Sequence, residues 1–375
     1  MKEGWKKVKL MDNCSVTTGK NDANHAVDNG RYRFYTCASE YLYCNTYKYD
    51  GACIILPGNG ANVGDVYFYE GKFDAYQRTY VIDNISPKVL PFYLYYQLQY
   101  GWKTYGVAKQ YGSATNYIKI GNFKDYEFLC PNIDTQKEIV EYLDSSFAKI
   151  DKLKENAAKN LEEAKALFQS ALKDALEPKE GWEEKTLEYV ATDMYRGSGI
   201  KRDQVTEEGI SCVRYGEIYT TYNFYFDVCK SHTNEGIITS KKYFENGDIL
   251  FAITGESVEE IGKSIAYLGK EKCLAGGDIV VMKHNQNPKF LSYALSTPNA
   301  IKQKGYGKTK LKVVHTNIPS LKTIKIPIPS IQEQIKIAEF LDSLNEKVNT
   351  LQQNYSRICD ECDALKQAIL RQVFE

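Results

Sequence analysis

Cysteine pairs are the first candidates for metal or redox chemistry in this sequence. Cys359 and Cys362 have the spacing of a zinc-binding or redox pair, but no second pair of cysteines or histidines accompanies them. They also lie inside a periodic helical pattern that places Cys362 on its apolar face. Cys37 and Cys44 lack the spacing of metal ligands. We therefore expect Cys359 and Cys362 to lie in a helix, in the core or on the surface of the protein, and we predict no metal site at any of these cysteines.

Nucleophilic and nucleotide-binding motifs are the next candidates. The four histidines (25, 232, 284 and 315) are isolated from one another and from any serine or cysteine in a recognisable catalytic context. The glycine-rich run 58–64 matches neither nucleotide-binding fingerprint, so it favours a turn between strands. No Asn-Pro-Pro-aromatic, Asp-Pro-Pro-Tyr or Walker-type segment occurs. The sequence therefore offers no recognisable catalytic constellation.

Length and composition limit the class of protein. A chain of 375 residues is long for one domain and sufficient for two. Lys and Arg total 48, as do Asp and Glu, so the net charge does not indicate a nucleic-acid partner. No apolar run approaches the roughly 20 residues of a membrane helix, and the first residues lack the apolar core of a signal peptide. The ten cysteines show no secreted framework. We therefore expect a cytoplasmic protein with reduced cysteines and no membrane association.

An internal repeat predicts the organisation of the chain. The segments PNIDTQKEIVEYLD (131–144) and PSIQEQIKIAEFLD (329–342) are identical at seven of fourteen positions. The Gly-Trp pair at 4–5 recurs at 181–182, and glycine-punctuated β-like runs followed by a helix occupy both intervening regions. The predicted order is globular unit, helix, globular unit, helix. The predicted boundaries are 1–130, 131–178, 179–325 and 326–375.

Each helical segment carries apolar residues that alternate three and four positions apart, as in a coiled coil. The C-terminal stripe consists of Leu341, Leu344, Val348, Leu351, Tyr355, Ile358, Cys362, Leu365 and Ile369. The stripe of the first helix is weaker and consists of Leu143, Ser146, Ile150, Leu153, Ala157, Asn160, Ala164, Leu167 and Ala171. In its middle, either Asn160 or the neighbouring Leu161 faces the partner helix, and the sequence leaves both arrangements open.

Connectivity predicts the direction of the two helices. The second unit begins just after the first helix ends, and the second helix leaves that same unit, so it must run back antiparallel if the two pair. We therefore predict an α+β fold with two globular domains, two long antiparallel helices of about 40 residues in a coiled coil, and an internal pseudo-twofold repeat. The predicted pairing residues are Leu143, Ile150, Leu153, Leu167, Leu341, Leu344, Val348, Leu351, Ile358, Leu365 and Ile369.

The charge distribution follows the same repeat. Residues 1–130 contain 15 Lys and Arg against 12 Asp and Glu, and residues 179–325 contain 21 against 18. The helical segments reverse this balance, with 7 against 10 in 131–178 and 5 against 8 in 326–375. The neutral total therefore conceals two mildly basic globular units, which are compatible with a nucleic-acid partner.

This organisation resembles the specificity (S) subunits of type I restriction–modification systems, over essentially the whole chain. The resemblance is carried by the doubled Pro-x-Ile-x-x-Gln element that opens each long helix, the Gly-Trp openings and the Gly-Asp-Ile-Leu strand at 247–250. The first copy of the helix opening departs slightly, with Cys130 in place of Ile328 and Thr135 in place of Glu333. Because these positions lie at the start of the helix, the departure affects the predicted N-terminal cap of the first helix and not the resemblance itself.

The resemblance implies a DNA-recognition scaffold. Each globular unit would be a target-recognition domain for one half of a bipartite, asymmetric DNA site, and the helices would set the gap and dock modification subunits. The chain itself would be no enzyme and would bind no cofactor. S-adenosylmethionine, and ATP with magnesium if a nuclease subunit exists, would belong to partner chains. The implied partners are double-stranded DNA, two modification subunits and, where present, restriction subunits.

Loop chemistry nominates DNA-contacting residues, because the recognition domains of this family diverge and transfer no base-contact pattern. Arg can form two hydrogen bonds with guanine and Asn two with adenine, whereas Lys mainly neutralises phosphate. The candidates in the first domain are Lys20, Arg31, Arg33, Asn59, Asn62, Arg78, Lys109, Tyr111 and Ser113. Those in the second domain are Arg196, Lys201, Arg202, Arg214, Tyr215, Lys308, Thr309, Lys310 and Lys312. Four lysines in the nine residues 304–312 favour a contact loop there.

Two other classes of function compete with DNA recognition. A non-DNA adaptor would carry two ligand-binding heads on a coiled coil, and it would give equal footprints on random and genomic duplexes in the presence of its partner. An enzyme with an unrecognised site would transfer methyl groups without a partner chain.

Overall fold

The computed structural model describes residues 4–112, 116–307 and 313–375. The chain divides into two units, residues 1–158 with 354–375 (unit 1) and residues 159–353 (unit 2). Two long helices, α3 (Ile133–Ala175) and α9 (Ile331–Phe374), contribute to both units. Each unit therefore combines one globular domain with segments of both helices.

Short strands and one long helix form the globular domain of unit 1. Its described strands are β1 (Lys6–Lys9), β2 (Ser15–Thr18), β3 (Tyr32–Tyr35), β4 (Leu42–Cys44), β5 (Ala52–Pro57), β6 (Tyr67–Glu70), β7 (Phe73–Ala75), β8 (Thr79–Asp83) and β9 (Glu127–Cys130). Its described helices are α1 (Pro91–Ala108), α2 (Gly121–Lys124) and the 3-10 turns Leu10–Asp12 and Ala23–His25. The sheets have the strand orders β2-β8-β5-β6 and β4-β3-β7, and β1 pairs with β9.

The globular domain of unit 2 has more strands and shorter helices. Its described strands are β10 (Glu183–Thr186), β11 (Ala191–Arg196), β12 (Val205–Thr206), β13 (Ile210–Val213), β14 (Tyr225–Phe226), β15 (Ser231–Thr233), β16 (Tyr243–Phe244), β17 (Ile249–Ala252), β18 (Thr254–Gly255), β19 (Ser264–Tyr267), β20 (Cys273–Ala275), β21 (Ile279–His284), β22 (Val314–His315) and β23 (Lys325–Ile328). Its described helices are α4 (Leu187–Val190), α5 (Tyr215–Thr220), α6 (Pro288–Ala294), α7 (Pro298–Gly305), α8 (Ile318–Lys322) and the 3-10 turns Arg202–Gln204 and Glu235–Ile237.

The sheet topology of unit 1 recurs within unit 2. The order β2-β8-β5-β6 of unit 1 corresponds to β11-β21-β17-β19 of unit 2. In unit 2, β14 pairs with β19 and adds a fifth strand to this sheet. The order β4-β3-β7 corresponds to β15-β13-β20, with β3–β7 and β13–β20 both parallel. The pair β1–β9 corresponds to β10–β23, and both pairs are antiparallel. The repeat seen in the sequence is therefore a repeat of strand connectivity.

The buried face of each long helix is shared between the other helix and the adjacent globular domain. In unit 1 the helices run antiparallel, because Lys154 pairs with Asp363 at 2.6 Å and Lys366 pairs with Asp151 at 2.5 Å. The ring of Phe147 also packs edge-on against Tyr96 of α1, 5.5 Å between ring centres. In unit 2, the ring of Phe168 packs against the ring of Phe224 at 5.5 Å.

This second contact rotates the buried face away from part of the predicted stripe. Leu143, Ile150 and Leu341 are buried, and Leu344, Val348, Ile358 and Ile369 are half-buried. The prediction is wrong for four leucines, whose side chains are exposed by 37 to 71%: Leu153, Leu167, Leu351 and Leu365. On α3 four further buried residues lie one position after a residue of the predicted stripe: Phe147, Leu161, Phe168 and Leu172. Leu161 is thus buried and Asn160 is exposed.

Buried glutamines join the start of each long helix to its domain. Gln136 is fully buried, accepts a hydrogen bond from the backbone N–H of Leu90 (2.8 Å) and donates to the carbonyls of Lys88 and Pro131 (both 2.9 Å). The equivalent Gln334 is also fully buried. It accepts from the N–H of Asn287 (2.9 Å) and donates to the carbonyl of Pro329 (2.9 Å) and to the Gln286 side chain (2.7 Å). The glutamine of the repeated Pro-x-Ile-x-x-Gln element therefore has a structural role, because it hydrogen-bonds the start of each long helix to the adjacent globular domain.

A carboxylate two turns further along reinforces each junction. Asp144 on α3 accepts a hydrogen bond from the hydroxyl of Tyr96, and Asp342 on α9 accepts one from Tyr293 at 2.7 Å. Burial and the adjacent carboxylate raise the pKa of both tyrosines well above the usual range, so they stay neutral donors. The two helix starts are capped differently: Asn132 accepts from the N–H of Thr135, whereas Ser330 and Glu333 form a reciprocal pair.

We expect Gln334→Leu to lower the free energy of unfolding by about 2–5 kcal/mol, because it leaves a buried N–H and a buried carbonyl without partners. Urea unfolding of the intact chain measures the change. Gln332→Leu is the matched control, since Gln332 lies on the same helical turn and is exposed. Equal unfolding midpoints for the two variants would contradict the role of Gln334 as a junction.

Candidate nucleic-acid interface

Four loops of unit 1 meet at one end of its sheets, and backbone hydrogen bonds hold them together. The N–H of Gly58, after β5, donates to the carbonyl of Arg78 at 2.9 Å, and the N–H of Ile118 donates to the carbonyl of Gly58 at 2.9 Å. The side-chain amide of Asn62 donates to the carbonyl of Cys37 at 2.8 Å, which ties in the loop after β3. We call these segments, residues 36–40, 58–64, 76–78 and 111–112 with 116–118, loop cluster 1.

The same backbone bonds recur in unit 2. The N–H of Ile253 donates to the carbonyl of Asp278, and the N–H of Thr316 donates to the carbonyl of Ile253, both at 3.0 Å. The N–H of Gly276 donates to the carbonyl of Val213 at 2.8 Å, as that of Tyr76 does to Tyr35 at 2.9 Å. We call residues 214–219, 253–262, 276–278 and 305–307 with 313–316 loop cluster 2. The backbone scaffold is thus common to both clusters, and the side chains on it differ.

A glycine allows the closest backbone contact in each scaffold. The N–H of Gly19 donates to the carbonyl of Thr79 at 3.3 Å, and that of Gly197 donates to Ile279 at 2.8 Å. A Cβ atom on Gly19 would lie 1.7 Å from the carbonyl oxygen of Ala75, and one on Gly197 would lie 2.2 Å from that of Gly276. Only glycine fits such a contact, so the two positions maintain the scaffold.

Several predicted contact residues of unit 1 come together in loop cluster 1. Asn59, Asn62, Arg78 and Tyr111 belong to it, and Lys20 directly follows Gly19 beside it. The exposed Lys109 lies next to Tyr111, with its amine 3.1 Å from the hydroxyl of Tyr105. The structure thus collects six candidates that are scattered over the sequence, while Ser113 lies outside the described residues.

Arg31 and Arg33 are placed differently from the loop cluster. Arg31 is exposed and precedes β3, whereas the loop cluster follows the other end of that strand. The guanidinium of Arg33 lies between the rings of Tyr41 and Tyr69, 4.2 and 4.4 Å from their centres, and donates to the hydroxyl of Tyr35 at 3.2 Å. These contacts raise the pKa of Arg33 and occupy its faces. Arg33 is therefore part of an aromatic surface on the β4-β3-β7 sheet.

Sequence reasoning missed two residues that complete loop cluster 1. Tyr117 pairs with Asn59 and Tyr111 in isolated β-bridges, and its ring stacks on the ring of Tyr111 at 5.7 Å. The amine of Lys119 lies 4.5 Å from the centre of the Tyr111 ring. Tyr117 and Lys119 are two positions apart after the Tyr-Gly loop, and alternate residues of an extended segment lie on the same side. This spacing is the sequence signal that could have indicated both residues.

Arg196, Arg214 and Tyr215 of unit 2 lie around the turn 276–278. Arg196 donates to the carbonyl of Gly277 and forms an ion pair with Asp278 at 2.8 Å, which occupies its guanidinium. Arg214 adjoins Gly276, and Tyr215 is 39% exposed. Lys201 and Arg202 are exposed at the 3-10 turn before β12. Four further candidates fall outside the described residues: Lys308, Thr309, Lys310 and Lys312.

Loop cluster 2 contains polar atoms that are buried and lack a hydrogen-bond partner among the described residues. They are the Nε atom of Arg214, the hydroxyl of Tyr219 and the Oγ1 atom of Thr316. Thr254 and His315, which sequence reasoning missed, face each other across β18 and β22, with Oγ1 and Nδ1 3.1 Å apart. The exposed imidazole of His315 adds a polar group to the surface of loop cluster 2.

Lys304 is the lysine of the run 304–312 that the structure describes. Its amine is buried and donates to the hydroxyl of Ser264 at 3.0 Å and to the carbonyl of Leu295 at 2.8 Å. Burial lowers its pKa to about 7. In unit 1 the corresponding neighbour of Gly64 is Lys103, which is exposed and pairs with Asp65 at 3.5 Å. Lys304 therefore packs inside unit 2 and is no contact residue.

Metal binding and membrane insertion find no support in the parts of the chain that the structure describes. Across residues 4–112, 116–307 and 313–375, no group of three His, Cys, Asp or Glu side chains could hold a metal ion. Over the same ranges, every helix is too short or too polar to cross a membrane. Cys362 lies in the core of unit 1.

A protein-family model explains the doubled scaffold. The model of the type I restriction modification DNA specificity domain matches residues 2–163 and again residues 179–358. The chain belongs to this family. The two matches coincide with the two occurrences of the same strand connectivity, so each unit of this specificity protein carries one copy of the domain.

Two specificity subunits are similar to parts of the chain. The type I restriction enzyme EcoDI specificity subunit of Escherichia coli is 37% identical over 150 residues, which are 40% of this chain and 33% of that protein. The putative type I restriction enzyme MjaX specificity subunit of Methanocaldococcus jannaschii is 34% identical over 113 residues, 28% of this chain and 26% of that protein. The chain therefore spans about a third and a quarter of the length of these relatives.

Solved structures confirm the predicted fold. A chain from work on complex assembly and conformational transition of the type I R-M system aligns over 100% of this chain and 98% of its own length, with a TM-score of 0.73 and 15% identity. The HsdS subunit from Thermoanaerobacter tengcongensis aligns over 99% and 97%, with a TM-score of 0.52 and 15% identity. The two-domain α+β architecture with long helices is thus that of specificity subunits.

Proposed function

We propose that this specificity subunit recognises a bipartite, asymmetric sequence in double-stranded DNA, with one half contacted by each loop cluster. The observation that supports the proposal most directly is the shared backbone scaffold of the two clusters with different side chains on it. Asn59 and Arg78 occupy loop cluster 1, whereas Thr254 and Asp278 occupy the equivalent positions of loop cluster 2. Two backbone scaffolds of the same geometry that carry different hydrogen-bonding side chains are suited to recognise two different half-sites.

The exposed face of the long helices supports docking of two modification subunits. Tyr142, Leu153 and Leu365 are exposed in unit 1 by 49, 57 and 47%. Their equivalents in unit 2, each 198 residues away in the sequence, are Phe340, Leu351 and Leu167, exposed by 52, 37 and 71%. Exposed apolar residues that recur at the same register indicate one docking site per unit for the same partner. Two copies of the modification subunit would then bind.

The chain would act without catalysis of its own. In loop cluster 2 the hydroxyl of Thr254 lies 3.1 Å from the imidazole of His315, but among the described residues no carboxylate orients that imidazole as in a catalytic triad. The donors of both clusters suit base and phosphate contacts. Methyl transfer with S-adenosylmethionine would belong to the modification subunits. Translocation and cleavage with ATP and magnesium would belong to restriction subunits where these are present.

Exchange of residues 1–130 for the corresponding domain of another specificity subunit tests the proposal. We expect one half of the methylated sequence to change and the other half to stay the same, because loop cluster 2 remains intact. Mapping methylated adenines in a host that carries the chain with its modification subunit gives the measurement. Equal occupancy of random and genomic duplexes by the complex would instead favour the non-DNA adaptor, and methylation by the chain alone would favour an enzyme.

The double substitution Leu153→Glu with Leu365→Glu tests the docking surface. We expect the number of bound modification subunits to fall from two to one, because the charges remove the apolar contacts of unit 1 and leave those of unit 2. Native mass spectrometry of the purified complex counts the copies. Lys149→Glu, an exposed position on the same segment of α3, is the control and should keep both copies. Two copies on the double variant would exclude this surface.

A further inference from the structure

Hydrogen bonds hold the backbone of Arg78 in place, whereas its side chain has no partner among the described residues. It lies in the turn between β7 and β8, and its carbonyl accepts the N–H of Gly58 at 2.9 Å and the thiol of Cys37 at 3.3 Å. The next residue, Thr79, is fully buried at the start of β8. The backbone position is therefore set by the sheet and by two neighbouring loops. A side chain on such a rigid base is presented with little conformational freedom in its main chain.

The guanidinium of Arg78 has no hydrogen-bond, ion-pair or ring partner within residues 4–112, 116–307 and 313–375. Two other arginines in the globular domains are more constrained. Arg33 lies between tyrosine rings and Arg196 is paired with Asp278. A free guanidinium keeps its donor fork available for two parallel hydrogen bonds, and the fork matches the O6 and N7 acceptors of guanine.

The surroundings of Arg78 leave space for a planar ligand edge. An open cavity of about 450 Å³ lies beside it and is lined by Gly58, Gln77, Tyr80, Tyr117 and Ile118. No carboxylate among the described residues lines this cavity, so no ion pair there draws the guanidinium to the protein itself. Asn59, which lies next to Gly58, and the side chain of Tyr117 bound the same loop surface.

The equivalent backbone position in unit 2 carries the opposite charge. The carbonyl of Asp278 accepts the N–H of Ile253 just as that of Arg78 accepts the N–H of Gly58. A carboxylate accepts hydrogen bonds and cannot donate two to guanine. At this position of the shared scaffold, Arg78 can donate two hydrogen bonds in unit 1, whereas Asp278 can only accept them in unit 2. Such a difference would let the position distinguish the two half-sites.

We infer that Arg78 is a specificity-determining residue that contacts a guanine in the half-site bound by unit 1. This inference rests on the proposed function and names one residue of the same site. The contact needs no rearrangement of the scaffold, because the guanidinium is already free and its backbone is held on both sides. The half-site of unit 2 is read without this contact.

The experiment compares Arg78→Ala, Arg78→Lys and Lys6→Ala in the full chain bound to its modification subunit. We expect Arg78→Ala to lower the preference for guanine at one position of one half-site by about 10- to 100-fold. Arg78→Lys retains the charge but loses the fork, so the same position should be relaxed while the salt dependence of binding stays unchanged. The methylated sequence motif and binding to duplexes substituted at each position supply the measurements.

Lys6→Ala is the control, since Lys6 is exposed in the same domain, lies on β1 in the β1–β9 pair and belongs to neither loop cluster. It should leave the motif unchanged. An unchanged motif for both Arg78 variants would overturn the inference. So would a uniform loss of affinity on all duplexes with a salt slope reduced by about one, which is the signature of a phosphate contact. If Arg78→Ala fails to fold, as judged by thermal unfolding, Arg78→Lys alone decides between these outcomes.

The proposed function has a separate test in the unmodified chain. If the wild-type complex shows no bipartite motif, the proposed function fails before any variant is considered. If the wild-type motif is bipartite and lacks a guanine in the half-site that changes on exchange of residues 1–130, the inference about Arg78 fails and the proposed function stands.

Discussion

Two buried glutamines, Gln136 and Gln334, constrain the rest of the structure. Each side chain bonds simultaneously to the carbonyl that precedes its long helix and to the loop that precedes a helix of the globular domain. A buried amide with three satisfied bonds is costly to displace, so the domain and the helix start move as one body. The nearby Tyr96–Asp144 and Tyr293–Asp342 contacts add a second attachment on the same helical face. The direction in which each helix leaves its domain is thereby defined.

A fixed helix start has consequences for the surface of the helices. Because α3 packs against the globular domains as well as the other helix, its buried face includes Phe147 in unit 1 and Phe168 in unit 2. Four leucines of the regular three-and-four pattern are then exposed, at equivalent places in the two units. One helix sequence can therefore serve two kinds of contact, with the internal face used for folding and the external face available to a partner chain.

The globular domains show a comparable division between backbone and side chain. The main-chain bonds of Gly58 to Arg78 and of Ile253 to Asp278 preserve the geometry of the loop clusters, and they depend little on which side chains are present. The side chains at equivalent positions of these loops differ between the two units, as Arg78 and Asp278 do. Recognition can thus diverge without loss of the fold, because the groups that stabilise the loops and the groups that are exposed on them are different atoms.

The sequence by itself determined the repeat, the two-domain α+β class, the long helices and the family, because all of these depend on local periodicity and on motifs that are contiguous in the chain. It also located the glutamines, although not their bonds. Only the tertiary structure decided that Leu161 is buried in place of Asn160 and that Leu153 and Leu167 are exposed. That choice depends on aromatic residues of the globular domains that contact the helix from distant parts of the chain. The same reason applies to the loop clusters. Sheet pairing brings Asn59, Arg78 and Tyr117 together, and tertiary packing buries Lys304, which the sequence shows only as one of four lysines in 304–312.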